Sequence, residues 1–442
     1  MDVPQATAVT KRNTRFRKRP AEPAAPAPAK APPPPTRPAS RRALSHVGGE
    51  VSVTGDEPLG QLLVRALMVT ADERSTRRDV HGFHTYPARL HPETASRLIA
   101  TLTRPRDIVL DPFCGSGTVV VEARRAGRRG IGVDANPLAC ELTRLKVRGL
   151  VDEEGETLLQ AAERVAEHAT ERRKARRGAT RRYPPEDVEL FEAHVLLELD
   201  GLRDGIAHEP SSERRRQLLL VLSSMLGKFS RKPADTTEEQ AVRRIGAGYT
   251  SKFFVKRTFE LVERMTAFTR TLPERAAAVR VIDGDARRLD GVETKSVTLA
   301  LTSPPYPGVY DYLQHHAVRL RWLGMKSEHF DRSEIGARRQ LGKLPFARAL
   351  GQYETDMGRV LRELGRVLVP GGHAVLIVAD STLSGRAVRA DRLIAKLAAA
   401  ASLRVAARAS QERPHFHGAS QSAFTDAPRG EHAILLQKPA RS

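Results

Sequence analysis

The chain is poor in cysteine, in aromatic residues and in long apolar runs. Among its 442 residues, Cys114 and Cys140 are the two cysteines. They are too few for a disulfide framework and sit in no Cys-x-x-Cys or Cys/His ligand spacing, so a reducing interior and no metal site are expected. No apolar run approaches the roughly 20 residues that span a bilayer. This points to a soluble, cytoplasmic protein without a membrane partner. Acidic residues are also outnumbered, 52 Asp and Glu against 73 Lys and Arg, giving a formal net charge of +21. That excess is larger than solubility requires and implies a polyanionic partner, which would make the location nucleoid-associated.

The length allows one large α/β domain with an insertion, or two domains. Residues 1–45 mix basic clusters such as Arg17-Lys18-Arg19 with an Ala/Pro stretch through Pro32-Pro33-Pro34-Pro35. With almost no large apolar residue, this tail cannot offset its ordering entropy and should be disordered, serving as a phosphate-attracting arm or as a solubilising extension. Residues 46–150 open with helical periodicity from Leu59 to Val69 and from Pro92 to Leu102. Then come a strand at Asp107–Leu110, a glycine turn, a helix at Thr118–Ala126, a strand at Gly130–Asp134 and a helix reaching about Val147. This order is half of a doubly wound parallel sheet.

Residues 151–276 read as a mainly helical insertion. It carries a basic cluster of Arg172, Arg173, Lys174, Arg176, Arg177, Arg181 and Arg182, and a polar loop around Ser230–Thr236. Strand character returns in residues 277–442, at Val279–Ile282, Ser296–Leu301 and His373–Val378. Leu403–Ala407 and Ala433–Leu436 have the character of a terminal antiparallel pair.

Two turns carry the chemistry. In Asp111-Pro112-Phe113-Cys114-Gly115-Ser116-Gly117-Thr118, the glycines allow close backbone approach to a ligand, and the next helix presents unpaired N–H groups to an anionic end. A dinucleotide site would want a third glycine at position 120, where this chain has Val120. Asp134 ends the second strand 19 residues after Gly115, where a carboxylate can accept from a ribose diol. Asp285 follows the third strand and can accept from an adenine amino group, while Asp283 beside it reads equally as a turn cap. About 190 residues after the glycine turn stands Ser303-Pro304-Pro305-Tyr306. An exocyclic base amine is a poor nucleophile because its lone pair is delocalised into the ring. Acceptors such as the Ser303 hydroxyl and the Pro304 carbonyl localise that pair, the prolines fix where the carbonyl points, and Tyr306 can stack on the base. A base held this way must leave its duplex.

These segments together resemble the S-adenosylmethionine-dependent DNA amino-methyltransferases. Phe83-His84-Thr85-Tyr86-Pro87-Ala88-Arg89-Leu90-His91-Pro92 is similar to the segment beside the cofactor, Gly132-Val133-Asp134-Ala135-Asn136-Pro137 to the ribose-binding segment, Gly284-Asp285-Ala286 to the adenine side, and Thr302-Ser303-Pro304-Pro305-Tyr306 to the catalytic turn. The resemblance implies a Rossmann-like class I methyltransferase sheet with S-adenosylmethionine as cofactor. Its implied cofactor-binding positions are Tyr86, Asp111, Phe113, Gly115, Ser116, Gly117, Thr118, Asp134 and Asp285, and its implied catalytic positions are Ser303, Pro304, Pro305 and Tyr306. Serine at the start of the catalytic turn resembles the cytosine-N4 branch; Asp or Asn there is commoner in the adenine-N6 branch. Cytosine-C5 chemistry needs a thiolate nucleophile, and no cysteine follows Cys140.

The chain departs from the family pattern in its large insertion between the ribose and adenine segments, and in the aromatic and ionisable stretch Pro307–Gly324. His315 and His316 in that stretch read either as pocket residues or as helix-surface residues. The implied partner is DNA, with a restriction endonuclease as a companion of such enzymes. The insertion reads as a target-recognition region whose arginine cluster contacts phosphates. Two other readings stay open: a tRNA guanine-N2 or adenine methyltransferase, and a DNA-binding scaffold without turnover.

Overall fold

The computed structural model describes residues 50–69, 79–231, 245–413 and 421–440. The expected basic tail and the Lys232–Thr236 part of the polar loop lie outside them. In chain order, β1 (Val51–Gly55) and α1 (Glu57–Leu67) precede a helical turn at Val80–Gly82, α2 (Pro92–Leu102), β2 (Ile108–Asp111), α3 (Thr118–Arg125), β3 (Arg129–Asp134) and α4 (Pro137–Arg148). Among the described residues, five helices follow: α5 (Asp152–Lys174), α6 (Pro185–Leu190), α7 (Ala193–Ala207), α8 (Ser212–Phe229) and α9 (Tyr249–Arg270). The chain then returns to the sheet through β4 (Val279–Asp283) and β5 (Val297–Thr302), and continues with α10 (Tyr312–Leu323), α11 (Glu328–Ser333), α12 (Arg338–Leu341), α13 (Phe346–Val367) and β6 (Leu368–Ala379). A small hairpin of β7 (Ser381–Leu383) and β8 (Arg386–Val388), then α14 (Ala390–Ala400), β9 (Arg404–Glu412) and β10 (Gly430–Gln437), complete it.

Local chemistry sets the helix starts near the site. Pro137 opens α4 without wasting an amide donor, and the Asn136 side chain accepts the Leu138 N–H at 3.1 Å. His91 plays the same part for α2, its imidazole accepting the Glu93 N–H at 3.2 Å.

The main sheet has eight strands in the order β1-β9-β10-β6-β5-β2-β3-β4. Strands β4, β3, β2, β5 and β6 are parallel, whereas β10, β9 and β1 pair antiparallel beyond β6. The parallel part of the sheet thus starts at β2, steps outward to β3 and β4, and comes back on the other side of β2 with β5. That reversal is the topological switch point of a doubly wound sheet, and ligands bind outside the carboxyl ends of the strands there. This is the Rossmann-like architecture that the sequence implies. Edge strand β1 is an addition, since its two valines are too few to register as a strand pattern. Strand β6 also begins earlier than expected, running through Pro370-Gly371-Gly372.

Both faces of the sheet are covered. Leu110, Ala300 and Leu376 pack with α13 and α14 on one face, and Val109, Leu299 and Val375 with α1, α2 and α3 on the other. The insertion is not a loose appendage, because Val120 and Leu138 of the sheet-flanking helices share one apolar cluster with α5, α7, α8 and α9. Trp322 of α10 seals this junction, its ring 5.2 Å from Tyr183 and 5.7 Å from Phe191. Among the described residues, no helix is long and apolar enough to cross a membrane.

Candidate active site

The first wall of the site grows from β2. Asp111 is buried, and its Oδ1 accepts the Phe113 N–H at 3.1 Å and the Thr302 hydroxyl at 2.6 Å. Burial pushes its carboxyl up to about 7 against those two hydrogen bonds. The turn that follows needs its glycines. Gly115 and Gly117 have φ of +50° and +87°. A Cβ on Gly117 would lie 2.8 Å from the Thr143 hydroxyl oxygen, and one on Gly115 would lie 3.1 Å from the Tyr86 ring. Three contacts pin the turn from below. The Gly115 N–H donates to Asp134 at 2.8 Å, the Thr143 hydroxyl donates to the Gly115 carbonyl at 3.0 Å, and Lys146 donates to the Ser116 carbonyl at 2.8 Å. Lys146 is fully buried, and burial holds its pKa well below the ordinary lysine value. The Ser116 hydroxyl is buried without a partner among the described residues and belongs to the cleft lining.

Asp134 ends β3. Its second oxygen accepts the Asn136 N–H at 2.8 Å, and burial pushes the carboxyl up to about 6. Tyr86 lies over Gly115, with its hydroxyl accepting from the Asn136 amide at 3.3 Å. Its ring stacks on His316, centroids 4.8 Å apart. His316 is therefore a buried residue behind the pocket wall and not a helix-surface residue; burial, with His315 and Arg319 adding to it, holds the imidazole neutral.

The second wall comes from the end of β5. Ser303 and Pro305 line the same cleft as the glycine turn, and Tyr353 anchors the turn by donating to the Pro305 carbonyl at 2.8 Å. Tyr306 is 6% exposed and packs in the core with Tyr353, so neither it nor buried Pro304 lines the cleft. A third wall, which sequence reasoning missed, folds over from α10 and α11 and supplies Tyr312, Phe330 and Glu334. Glu334 accepts the Tyr312 N–H at 2.7 Å and pairs with Arg339; burial pushes its carboxyl up against the pull of that arginine. The aromatic enrichment after Tyr306 was the available signal. The three walls enclose about 850 Å³ of atom-free space, part of it open to solvent.

The structure thus gathers Tyr86, Asp111, Phe113, Gly115, Ser116, Thr118, Asp134, Ser303 and Pro305 around one cleft. Gly117 sits just beneath as the N-cap of α3. Asp285 is not brought to the cleft, although Gly284 and Ala286 on either side of it are. Its carboxylate is gripped by Arg287, with contacts of 2.7 and 3.0 Å, and Arg287 also bonds Asp356 at 2.9 Å. Burial would raise this carboxyl, and the Arg287 bonds override it and hold it below the ordinary value.

The arginine cluster is likewise divided. Arg172 pairs with Asp204 at 3.3 Å, Arg173 with buried Glu198 at 3.6 Å, and Arg181 covers the Tyr183 ring at 4.6 Å. Lys174, Arg176, Arg177 and Arg182 are exposed.

Residues 30–145 match the family model described as DNA methylase, of the N6/N4 class. This match supports the DNA amino-methyltransferase family that the sequence motifs resemble. Among curated relatives, the Type II methyltransferase M.MjaI of Methanocaldococcus jannaschii is 34% identical over 108 residues, which is 23% of this chain and 33% of the relative. M.MjaII of the same organism is 32% identical over 76 residues, 17% of this chain and 14% of that protein. The Type II methyltransferase M2.DpnII of Streptococcus pneumoniae is 45% identical over 51 residues, 12% of this chain and 19% of the relative. The matches therefore span a third or less of these relatives' own lengths. A solved SAM-dependent methyltransferase from Methanosarcina mazei is similar over 81% of this chain and 100% of that one, at 11% identity and a TM-score of 0.32. At that distance it carries nothing about activity.

Proposed function

We propose that this protein transfers a methyl group from S-adenosylmethionine to an exocyclic amine of a DNA base, with cytosine N4 as the acceptor. The observation that supports this most is the convergence of the Asp111–Thr118 and Ser303–Pro305 turns on one cleft from two paired parallel strands. The residues present fit the cofactor. The buried, unpartnered Ser116 hydroxyl and the first amides of α3 suit a carboxylate. The lone pairs that Asp134 does not spend on the turn suit a ribose diol, and Phe113 and Ala286 offer apolar cover to the adenine. Asp285, held by Arg287, would contribute through the backbone around it.

When bound, the cofactor supplies an electrophilic methyl group. The chain's part is to present the amine. The Ser303 hydroxyl, which lines the cleft, would accept from one of its N–H groups and draw the lone pair out of conjugation, with Tyr353 keeping the turn from yielding; Pro304, buried behind the cleft, would serve to fix the turn. Tyr306 is committed to the core, so aromatic contact with the flipped base falls to Tyr312 in the third wall. Direct transfer is favoured over a covalent cysteine route. Cys114 does line the cleft, but burial raises its thiol well above the ordinary value, which leaves no thiolate. Serine in place of Asp or Asn at position 303 favours cytosine over adenine, and the match of residues 30–145 to a DNA methylase model favours DNA over tRNA.

The test is product identity. DNA and tRNA are each incubated with the protein and methyl-labelled S-adenosylmethionine, then digested to nucleosides and resolved by mass. N4-methylcytosine from DNA is expected. N6-methyladenine would move the acceptor, methylated tRNA guanine would overturn the substrate, and no labelled nucleoside from either would overturn the activity.

A further inference from the structure

Two basic stretches far apart in sequence meet at one end of the helical insertion. One is the end of α5 with the loop after it, residues 172–182, which contains no acidic residue. The other is the start of α9, residues 249–259, which also contains none. Glu198 of α7 joins them from beneath: it pairs with Arg173 of the first stretch and accepts the Gly248 N–H and the Thr250 hydroxyl of the second. That carboxylate is 2% exposed and is spent on these contacts, so it does not offset the charge outside.

The outward face of α9 is unusual for a solvated helix. Tyr249, Lys252, Lys256 and Phe259 follow one another at spacings of three and four and so share a face. Tyr249 is 44% exposed and Phe259 49%, and both lysines are exposed. Lys228, at the end of α8, stands 3.8 Å from the centre of the Phe253 ring, and Tyr249 stacks on that ring at 6.0 Å. Arg231 beside it is exposed too. Apolar rings left in water need a partner, and the ammonium groups of Lys228 and Lys252 beside Tyr249 and of Lys256 beside Phe259 favour an anionic one, with exposed Glu263 one turn beyond Phe259 marking the edge of the basic face. A second copy of this chain would bring like charge to like charge. The chain's first 45 residues are also basic and would be repelled.

We infer that this end of the insertion is a docking surface for the DNA flanking the methylated base, with Lys228, Lys252 and Lys256 on phosphates and Tyr249 and Phe259 against sugars or unstacked bases. The inference rests on the proposed DNA substrate and adds a second binding region to it, away from the residues that line the cleft. Stacked aromatic platforms with cationic neighbours are a sequence-tolerant way to hold a nucleic-acid strand.

The experiment uses the full chain in three forms: wild type, the triple variant Lys228→Gln/Lys252→Gln/Lys256→Gln, and the double variant Tyr249→Ser/Phe259→Ser. Binding of a long duplex is measured by fluorescence anisotropy over a range of salt, and methyl transfer to the same duplex is measured in parallel. In the triple variant the slope of log affinity against log salt should fall by about 0.9 for each phosphate left without its lysine. The double variant should bind about tenfold more weakly for each base that can no longer stack, with its salt slope kept. S-adenosylmethionine affinity should be unchanged in both, which shows that the fold is intact. If wild type methylates DNA and both variants match it in slope and affinity, the surface assignment is overturned while the substrate stands. If wild type methylates tRNA and not DNA, both fall together.

Discussion

The Thr302 hydroxyl donates to Asp111 Oδ1 at 2.6 Å, joining the last residues of two neighbouring parallel strands that are 191 positions apart in sequence. The glycine turn leaves from one of these residues and the Ser-Pro-Pro-Tyr turn from the other, so one short bond fixes the two turns relative to each other. It also holds a largely buried carboxylate, and burial pushes that carboxyl up to about 7.

Stability should record this. The ordinary carboxyl value is 3.8, so below about pH 4 Asp111 is protonated in both folded and unfolded chains and costs nothing. As pH rises from about 4 to 7 the unfolded chain ionises first and stability is lost; above the folded value the loss is constant. Asn at this position keeps the oxygen that serves Thr302 and Phe113 but cannot ionise. Asp111→Asn should therefore melt higher than wild type near pH 8, with the gap closing by about pH 4. The same gap at both pH values would show that Asp111 carries no such penalty.

What was legible in the sequence was what short stretches determine alone. The glycine turn, the strand-end Asp134 and the Ser303 turn are set by consecutive residues, and the strand order follows from how those stretches alternate with helices. What stayed hidden depends on distant partners. Glu334 and Tyr312 reach the cleft because α10 and α11 fold back over it, and Lys146 supports the turn from one helix away. Arg172, Arg173 and Arg181 read as free charge until Asp204, Glu198 and the Tyr183 ring come up beside them. The Asp285–Arg287 grip is the exception, because it spans two residues and was open to a closer reading.

Asp134 bonds two backbone amides of its surroundings as well as facing the cleft. Asp134→Ala should weaken S-adenosylmethionine binding by about 1.5–3 kcal/mol, the range for hydrogen bonds to a charged group. Asp134→Asn can accept from one of the two amides but sets its own N–H against the other, so it should not restore wild-type affinity. Equal affinities in titration calorimetry for wild type and Asp134→Ala would reject the ribose role.

The divided arginine cluster separates binding from stability. Replacing Lys174, Arg176, Arg177 and Arg182 with glutamine should lower the salt slope of DNA binding by about 0.9 for each duplex phosphate no longer neutralised, with melting unaffected. Replacing Arg173 instead leaves buried Glu198 without its cation and should lower the melting temperature. An unchanged slope in the first variant would make that loop a solvated surface and nothing more.

The catalytic turn can be separated into chemistry and packing. Ser303 lines the cleft and makes no part of the cofactor cradle, so Ser303→Ala should leave S-adenosylmethionine affinity nearly constant. It should slow single-turnover transfer by about 10²–10³, the cost of removing one preorganised polar group. Tyr306 is packed in the core, and its hydroxyl, shut away beside Ser303, makes no hydrogen bond of ordinary geometry. Tyr306→Phe should therefore keep both fold and rate, whereas Tyr306→Ala should cost about 3–5 kcal/mol of stability through the cavity it leaves. Tyr312→Ala, by contrast, should weaken base capture while the protein melts as wild type does. A full single-turnover rate in Ser303→Ala would reduce this turn to a structural element, and a rate collapse in Tyr306→Phe would mean that Tyr306 leaves the core to meet the base.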